Sequence, residues 1–487
     1  MSKCSQAKPN FLMVIPDQLR FDALGTFGSP IGKTPAVDAL AASGVKFTQA
    51  YAQNSVCGPS RASFLTGLYP HTRGHRTLFH LLRADEPNLL RRLKESGYHV
   101  AHVGERGDTF ADGVTELSCD EYGFKEPPEF ANRLSDMSAE DPMSRLYYIG
   151  REAAGRFDPD EAAIRTAEAW LRSPPVERPW MLYLPLFEPH PPFVAAEPYF
   201  SMHDRATVPP RLPRETGAAP AYREALRRAQ GVDRFSEAHW REMAATYHGM
   251  VSRFDDHLAR VLAALQASGA RDNTYVILFT DHGEYLGDHD LVEKWPTGLE
   301  DCLLHIPLVV SGPGIPPGGS CDALVEMVDL PATVYALAGI EAGYSHFGRS
   351  LVPLLLGTAR VHRTSVFAEG GYTLDEEPLM ETAPFPYELK AGLQHEQPQL
   401  VGKAVALRDD RWTYIWRLYE PAELYDRRAD PGELHNLAGG SENADLERSM
   451  RDQILRWMVS TSDVLPWMRD ARKPKVGLPK PAQTVQV

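Results

Sequence analysis

Little in this sequence points to an oxidised or membrane-bound setting. Five cysteines are spread over 487 residues, at positions 4, 57, 119, 302 and 321, with no CxxC pair among them. That argues against a disulfide framework or a zinc knuckle and fits a reducing compartment. No apolar run reaches the length of a membrane span, and no apolar core lies in Met1 to Asn10, ahead of the first strand-like segment. The expectation is a cytoplasmic protein with no membrane partner. Positive charge is short too: 51 Lys and Arg against 65 Asp and Glu leave a net charge of −14. This balance argues against a nucleic-acid partner, and an anionic ligand would need a local cationic pocket. Internal repeats and long low-complexity segments are also missing.

What is present is enough apolar material, 43% of the residues, for a large domain and a smaller one. Phe11–Ile15, Val100–Val103, Trp180–Phe187, Thr274–Thr280 and Ile306–Val310 are nearly unbroken apolar runs. Runs of this kind fill strands buried on both faces of a parallel sheet. The pattern predicts an α/β fold, with a large, mostly parallel central sheet flanked by helices. His239–Ala267 predicts a long amphipathic helix, with His248 and His257 on its polar side. Stretches near 120–165 and 200–235 have little periodicity and read as insertions at a pocket mouth. From about 366 the pattern changes. A Pro/Glu-rich stretch over 371–400 precedes short antiparallel strands at Ala404–Arg408 and Trp412–Trp416 and a last helix near Leu446–Val459. We therefore expect a catalytic domain over 1–365 and a smaller C-terminal α+β subdomain with its tail over 366–487.

Polar groups gather where the apolar runs end. Asp17 follows the first, His190 the Trp180 run, and Asp281-His282 the Thr274 run. Open α/β sheets bind ligands at the carboxyl ends of their strands. An Asp beside a His there offers a metal one hard oxygen and one nitrogen. Cys57 lies in the turn Cys57-Gly58-Pro59, at the start of a helix-like run that stops at Gly67. A helix N-terminus suits an anion and lowers a cysteine pKa. Cys57 thus reads as a reactive group facing an anionic substrate. The alternative is a buried, inert cysteine.

Cys57-Gly58-Pro59-Ser60-Arg61, with Leu65-Thr66-Gly67 downstream, resembles the signature of the type I, formylglycine-dependent sulfatases of the alkaline phosphatase superfamily. Pro189-His190-Pro191-Pro192-Phe193, Thr280–His289 and Glu423–Ala438 resemble further segments of that family. The resemblance implies hydrolysis of sulfate esters, with Cys57 oxidised to formylglycine by a maturation enzyme. It implies that Asp17, Asp281, His282 and the modified Cys57 hold one divalent cation, Ca2+ first, with Mn2+ or Mg2+ as alternatives. Gln18 is a further candidate ligand. Arg61, His190 and Lys294 join Cys57 as the implied catalytic residues. One hydroxyl of the formylglycine hydrate would attack sulfur, and the other would expel sulfate and restore the aldehyde. The arm-like tail suggests a homo-oligomer.

The sequence departs from the family pattern in two places. The common Asp-Asp pair is Asp17-Gln18 here, and the common Gly-Lys-x-His is Gly104-Glu105-Arg106-Gly107. Arg106 is a candidate substitute cation, and Glu105 a candidate contact for a cationic part of the substrate. A rearranged surface loop is the plainer alternative. Phosphonate monoester hydrolases share the Asp-Gln pair and the missing Lys/His, so a phosphonate monoester or phosphodiester hydrolase is the rival reading. A non-catalytic binding protein with a degenerate site is the third.

Overall fold

The computed structural model describes residues 8–104, 108–129, 133–153 and 157–465. Glu105, Arg106 and the tail from Pro466 lie outside the described residues.

Asn10–Asp17 is the spine of the molecule, and all of its residues are buried. It pairs in parallel with Trp180–Pro189 on one side and Thr274–Phe279 on the other. These belong to a nine-stranded sheet. Across it, the strands begin at residues 319, 45, 305, 274, 10, 180, 99 and 121, and Val325–Glu326 pairs beside Val45–Tyr51. His305–Ser311 runs antiparallel to both neighbours, and the other pairings are parallel. The near-continuous apolar runs are explained by this burial on two faces.

Alternation along the spine divides the core. Phe11, Met13 and Ile15 point to one face, where they join Phe64 and Leu65. Leu12 and Val14 point to the other, against Met243, Tyr247, Met250, Phe254 and Leu258. The latter five lie on the helix Glu237–Ala267, which opens on a Ser236/His239 capping box. Each such apolar side chain contributes about 1.5–3 kcal/mol by leaving water. Halfway along, Asp255 accepts hydrogen bonds from the backbone N–H groups of Ala36 and Val37, at the start of the helix Pro35–Ala42. His248 and His257 are buried rather than solvent-facing. His248 packs on His203, and His257 sits 3.5 Å from Glu161. A polar side chain on a 31-residue helix need not face water when two layers cover it.

The 200–235 stretch is not the irregular insertion its sequence suggested. It contains the helix Ala221–Gln230, whose buried face carries Arg223 and Arg227 beside Tyr222 and Leu226. Likewise, the 371–400 stretch contains the helix Glu388–Glu396. In the C-terminal region, Val366–Gly370, Ala404–Arg408, Trp412–Arg417 and Glu423–Asp426 form an antiparallel four-stranded sheet. Met450 and Ile454, on the helix Ala444–Thr461, pack on its Leu407, Tyr414 and Leu424. Among the described residues, no helix is long and apolar enough to cross a membrane.

Candidate active site

The register of the sheet brings two carboxylates together. Val14 is paired with Leu278, so Asp17 and Asp281 leave neighbouring strands at the same edge. Thr280 ties the two exits: its hydroxyl donates to the Pro16 carbonyl and accepts from the Leu19 N–H. The helix Cys57–Thr66, with every residue buried, presents its first residue to this pair. Cys57 Sγ lies 3.6 Å from Asp17 Oδ1 and 3.1 Å from His282 Nε2. Ligand atoms of Asp17, Cys57, Asp281 and His282 all fall within 4.8 Å of one another. Gly283 follows because nothing larger fits: a Cβ there would stand 2.0 Å from the Cys302 carbonyl oxygen.

Electrostatics suit this cluster to a cation. His282 Nδ1 donates to the Gly283 carbonyl at 2.8 Å, which leaves the Nε2 lone pair aimed inward. Burial lowers the His282 pKa, so the ring is neutral, as a ligand must be. Arg61 is fully buried and bridges Asp281 Oδ2 at 2.8 Å and Asp17 Oδ2 at 3.2 Å, with Asp108 at 3.7 Å. Three carboxylates thus face one guanidinium, an excess that a divalent ion would neutralise. The Cys57 thiol does not follow the helix-terminus expectation. Burial pushes its pKa well up and Asp17 adds to that rise, with only Lys294 opposing strongly.

Lys294 stands on the other side of Cys57, in the loop after Thr274–Phe279. Its ammonium donates to Gln18 Oε1 at 2.7 Å and lies 2.7 Å from Glu293 Oε1 and 3.2 Å from His190 Nε2. His190 Nδ1 donates to the Pro191 carbonyl at 2.6 Å, so its Nε2 accepts from Lys294. Gln18 has a left-handed backbone (φ 65°), and its amide nitrogen donates to Glu284. Its one side-chain oxygen thus already accepts a hydrogen bond from Lys294. Glu284 is buried and its pKa is raised by that burial, and next by Glu293, to about 7.

Cys57, His190 and Lys294 line a cavity of about 390 Å3 with Asp108 and Glu293. Glu381, Tyr387, Lys390, Ala391 and Gln394 from the Pro/Glu-rich stretch also line it, with Leu78 and Phe79; sequence reasoning could not single out these residues. The missed signal was the helix Glu388–Glu396, whose buried face includes Lys390 and Gln394.

A strand-edge cluster of this kind, reaching a cavity through Cys57 on an open α/β sheet, has the make-up of an enzyme's active site. Comparisons with known proteins narrow the class. The Sulfatase family model matches residues 9–340. The multifunctional alkaline phosphatase superfamily protein PehA of Trinickia caryophylli is 28% identical, over 94% of this chain and 96% of its own length. Arylsulfatase K of Xenopus laevis is 26% identical, over 89% and 79%. The crystal structure of the phosphonate monoester hydrolase of Agrobacterium radiobacter superposes with a TM-score of 0.76 at 25% identity, over 93% and 96%. The chain belongs to the sulfatase family, within the alkaline phosphatase superfamily. It is an enzyme of the sulfuric ester hydrolase class.

Proposed function

We propose that the protein hydrolyses sulfate esters through a formylglycine made from Cys57, with one divalent cation held by Asp17, Asp281, His282 and position 57. The observation that supports this best is the convergence of those four residues on one point, with Cys57 lining the same cavity as His190 and Lys294. When bound, the cation supplies Lewis-acid polarisation of the sulfate. Oxygen in place of sulfur at position 57 makes the donor set hard, in favour of Ca2+ over softer ions.

The remaining steps belong to the chain itself. Arg61 bridges the two carboxylates and anchors the helix that carries position 57. The Lys294 ammonium neutralises charge on the transferring group. As the S–O bond breaks, the leaving oxygen keeps the bonding pair and takes a proton from the Lys294–His190 pair. Glu105 and Arg106 stay as proposed substrate contacts, and Gln18 as a proposed weak ligand. We retain the division at 365/366, a cytoplasmic setting, which the unpaired state of Cys57, Cys119, Cys302 and Cys321 supports, and a homo-oligomer.

The test is the mass of the tryptic peptide Phe47–Arg61 from protein coexpressed with a maturation enzyme. A peptide lighter by the thiol-to-aldehyde exchange is expected; an intact thiol overturns the mechanism. The second reading, a phosphonate monoester or phosphodiester hydrolase, is favoured by the likeness to the Agrobacterium enzyme. Relative kcat/KM on aryl sulfates and aryl phosphonates decides between them. Loss of turnover in Cys57→Ala and Asp281→Asn would exclude a non-catalytic binding role.

A further inference from the structure

Lys390 lies beyond the span matched by the family model, on the helix Glu388–Glu396. It is only 8% exposed. A lysine is seldom buried unless it is paired. Its ammonium donates to two acceptors on one dipeptide: the carboxylate of Glu293 and the backbone carbonyl of Lys294. Glu293 bridges onward, with Oε1 2.7 Å from the Lys294 ammonium and Oε2 accepting the Lys294 N–H at 2.7 Å. Glu293 also has a left-handed backbone (φ 68°), disfavoured for a residue with a Cβ. Such a conformation persists only where its surroundings over-determine it.

We propose that Lys390 is a positioning residue for the reaction: it clamps the Glu293–Lys294 peptide so that the Lys294 ammonium faces the leaving oxygen. Without the clamp, the Glu293 carboxylate loses one of its two ammonium partners and the Lys294 carbonyl loses a donor. Both changes free the Lys294 side chain to leave its place beside His190. The helix that carries Lys390 also lines the cavity through Ala391 and Gln394. The C-terminal region therefore supplies a wall and sets the aim of the proton-donating pair. This inference rests on the role given to Lys294 above.

The test compares the matured wild type with Lys390→Met and Lys390→Arg on aryl esters of graded leaving-group pKa. Aryl sulfates are used, or aryl phosphonates if the wild type turns those over faster, so the choice of series reports on the proposed function separately. Misplacing a general acid is felt most where the leaving oxygen most needs a proton. For Lys390→Met, kcat should fall about 10- to 100-fold on the least acidic phenols and much less on nitrophenyl esters, steepening the leaving-group slope. Lys390→Arg should restore part of the slope. An equal loss on every ester, with the slope unchanged, would show a purely structural lysine and overturn the proposal. The slope does not depend on how much enzyme is folded; if Lys390→Met does not fold, Lys390→Gln takes its place in the comparison with Lys390→Arg.

Discussion

Replacing Arg61 by Met should make the protein depend on its cation for stability. Arg61 is the buried counter-charge to Asp17 and Asp281, and Asp108 adds a third carboxylate at its edge. Methionine keeps most of the side-chain volume and removes the charge. Breaking a buried ion pair by deleting one partner costs about 3–5 kcal/mol, because the surviving charge is left without compensation. In the presence of a chelator, Arg61→Met should lose stability on that scale. A divalent ion competes with Arg61 for the same two carboxylates, so it should return part of the loss. In the wild type, the proposed calcium ion at about a hundred times its Kd should add about 2.7 kcal/mol. In the variant the added stability should be larger, since no guanidinium opposes the ion. The assay is urea unfolding of both proteins with EDTA and with excess CaCl2. A calcium effect in Arg61→Met no greater than in the wild type would refute the charge-balance argument.

Three further outcomes follow from the same geometry. Lys294→Ala should lower kcat about 10²- to 10³-fold with a smaller change in KM, read by steady-state kinetics on an aryl ester. Gly283→Ala should be destabilised by about 1–3 kcal/mol and lose activity, because its Cβ would meet the Cys302 carbonyl at 2.0 Å; thermal unfolding and turnover report both. Asp255 supplies a pH test, since burial raises its pKa to about 6. Its proton binds more tightly in the folded state, so the stability it supports is full below about pH 4 and is lost as pH rises through about 6, a decline worth about 3 kcal/mol. Asp255→Asn should flatten that part of the stability–pH curve, and an unchanged slope would show that another group titrates there.

Sequence and structure agree where a residue's role is local. Asp17, His190 and Asp281 could be placed at strand ends because an apolar run announces where its strand stops. Cys57 could be placed at a helix start because glycine, proline and a downstream Gly67 bracket the turn. The readings fail where a buried face is polar. Helix Ala221–Gln230 inserts Arg223 and Arg227, which pair with Glu300, Glu423 and Glu215, so no apolar period marks it. Helix Glu388–Glu396 hides for the same reason, and with it Lys390. The Cys57 pKa departs from the helix-terminus expectation because its causes are tertiary: burial first, then the Asp17 carboxylate from the neighbouring strand end. The tie of Glu284 to Gln18 appears only when the two strand exits meet.

The complete burial of Cys57–Thr66 sets a deadline. Once this helix seats against the sheet, Cys57 is 2% exposed and its neighbours are closed over. A maturation enzyme making the proposed modification would reach a segment this buried only on a chain that has not yet finished folding. Under the proposed modification, oxidation and folding are therefore rival clocks running on the same molecule. The yield of active enzyme becomes a ratio of two rates, and a variant that folds faster could be more stable and yet less active, with every residue of its site in place.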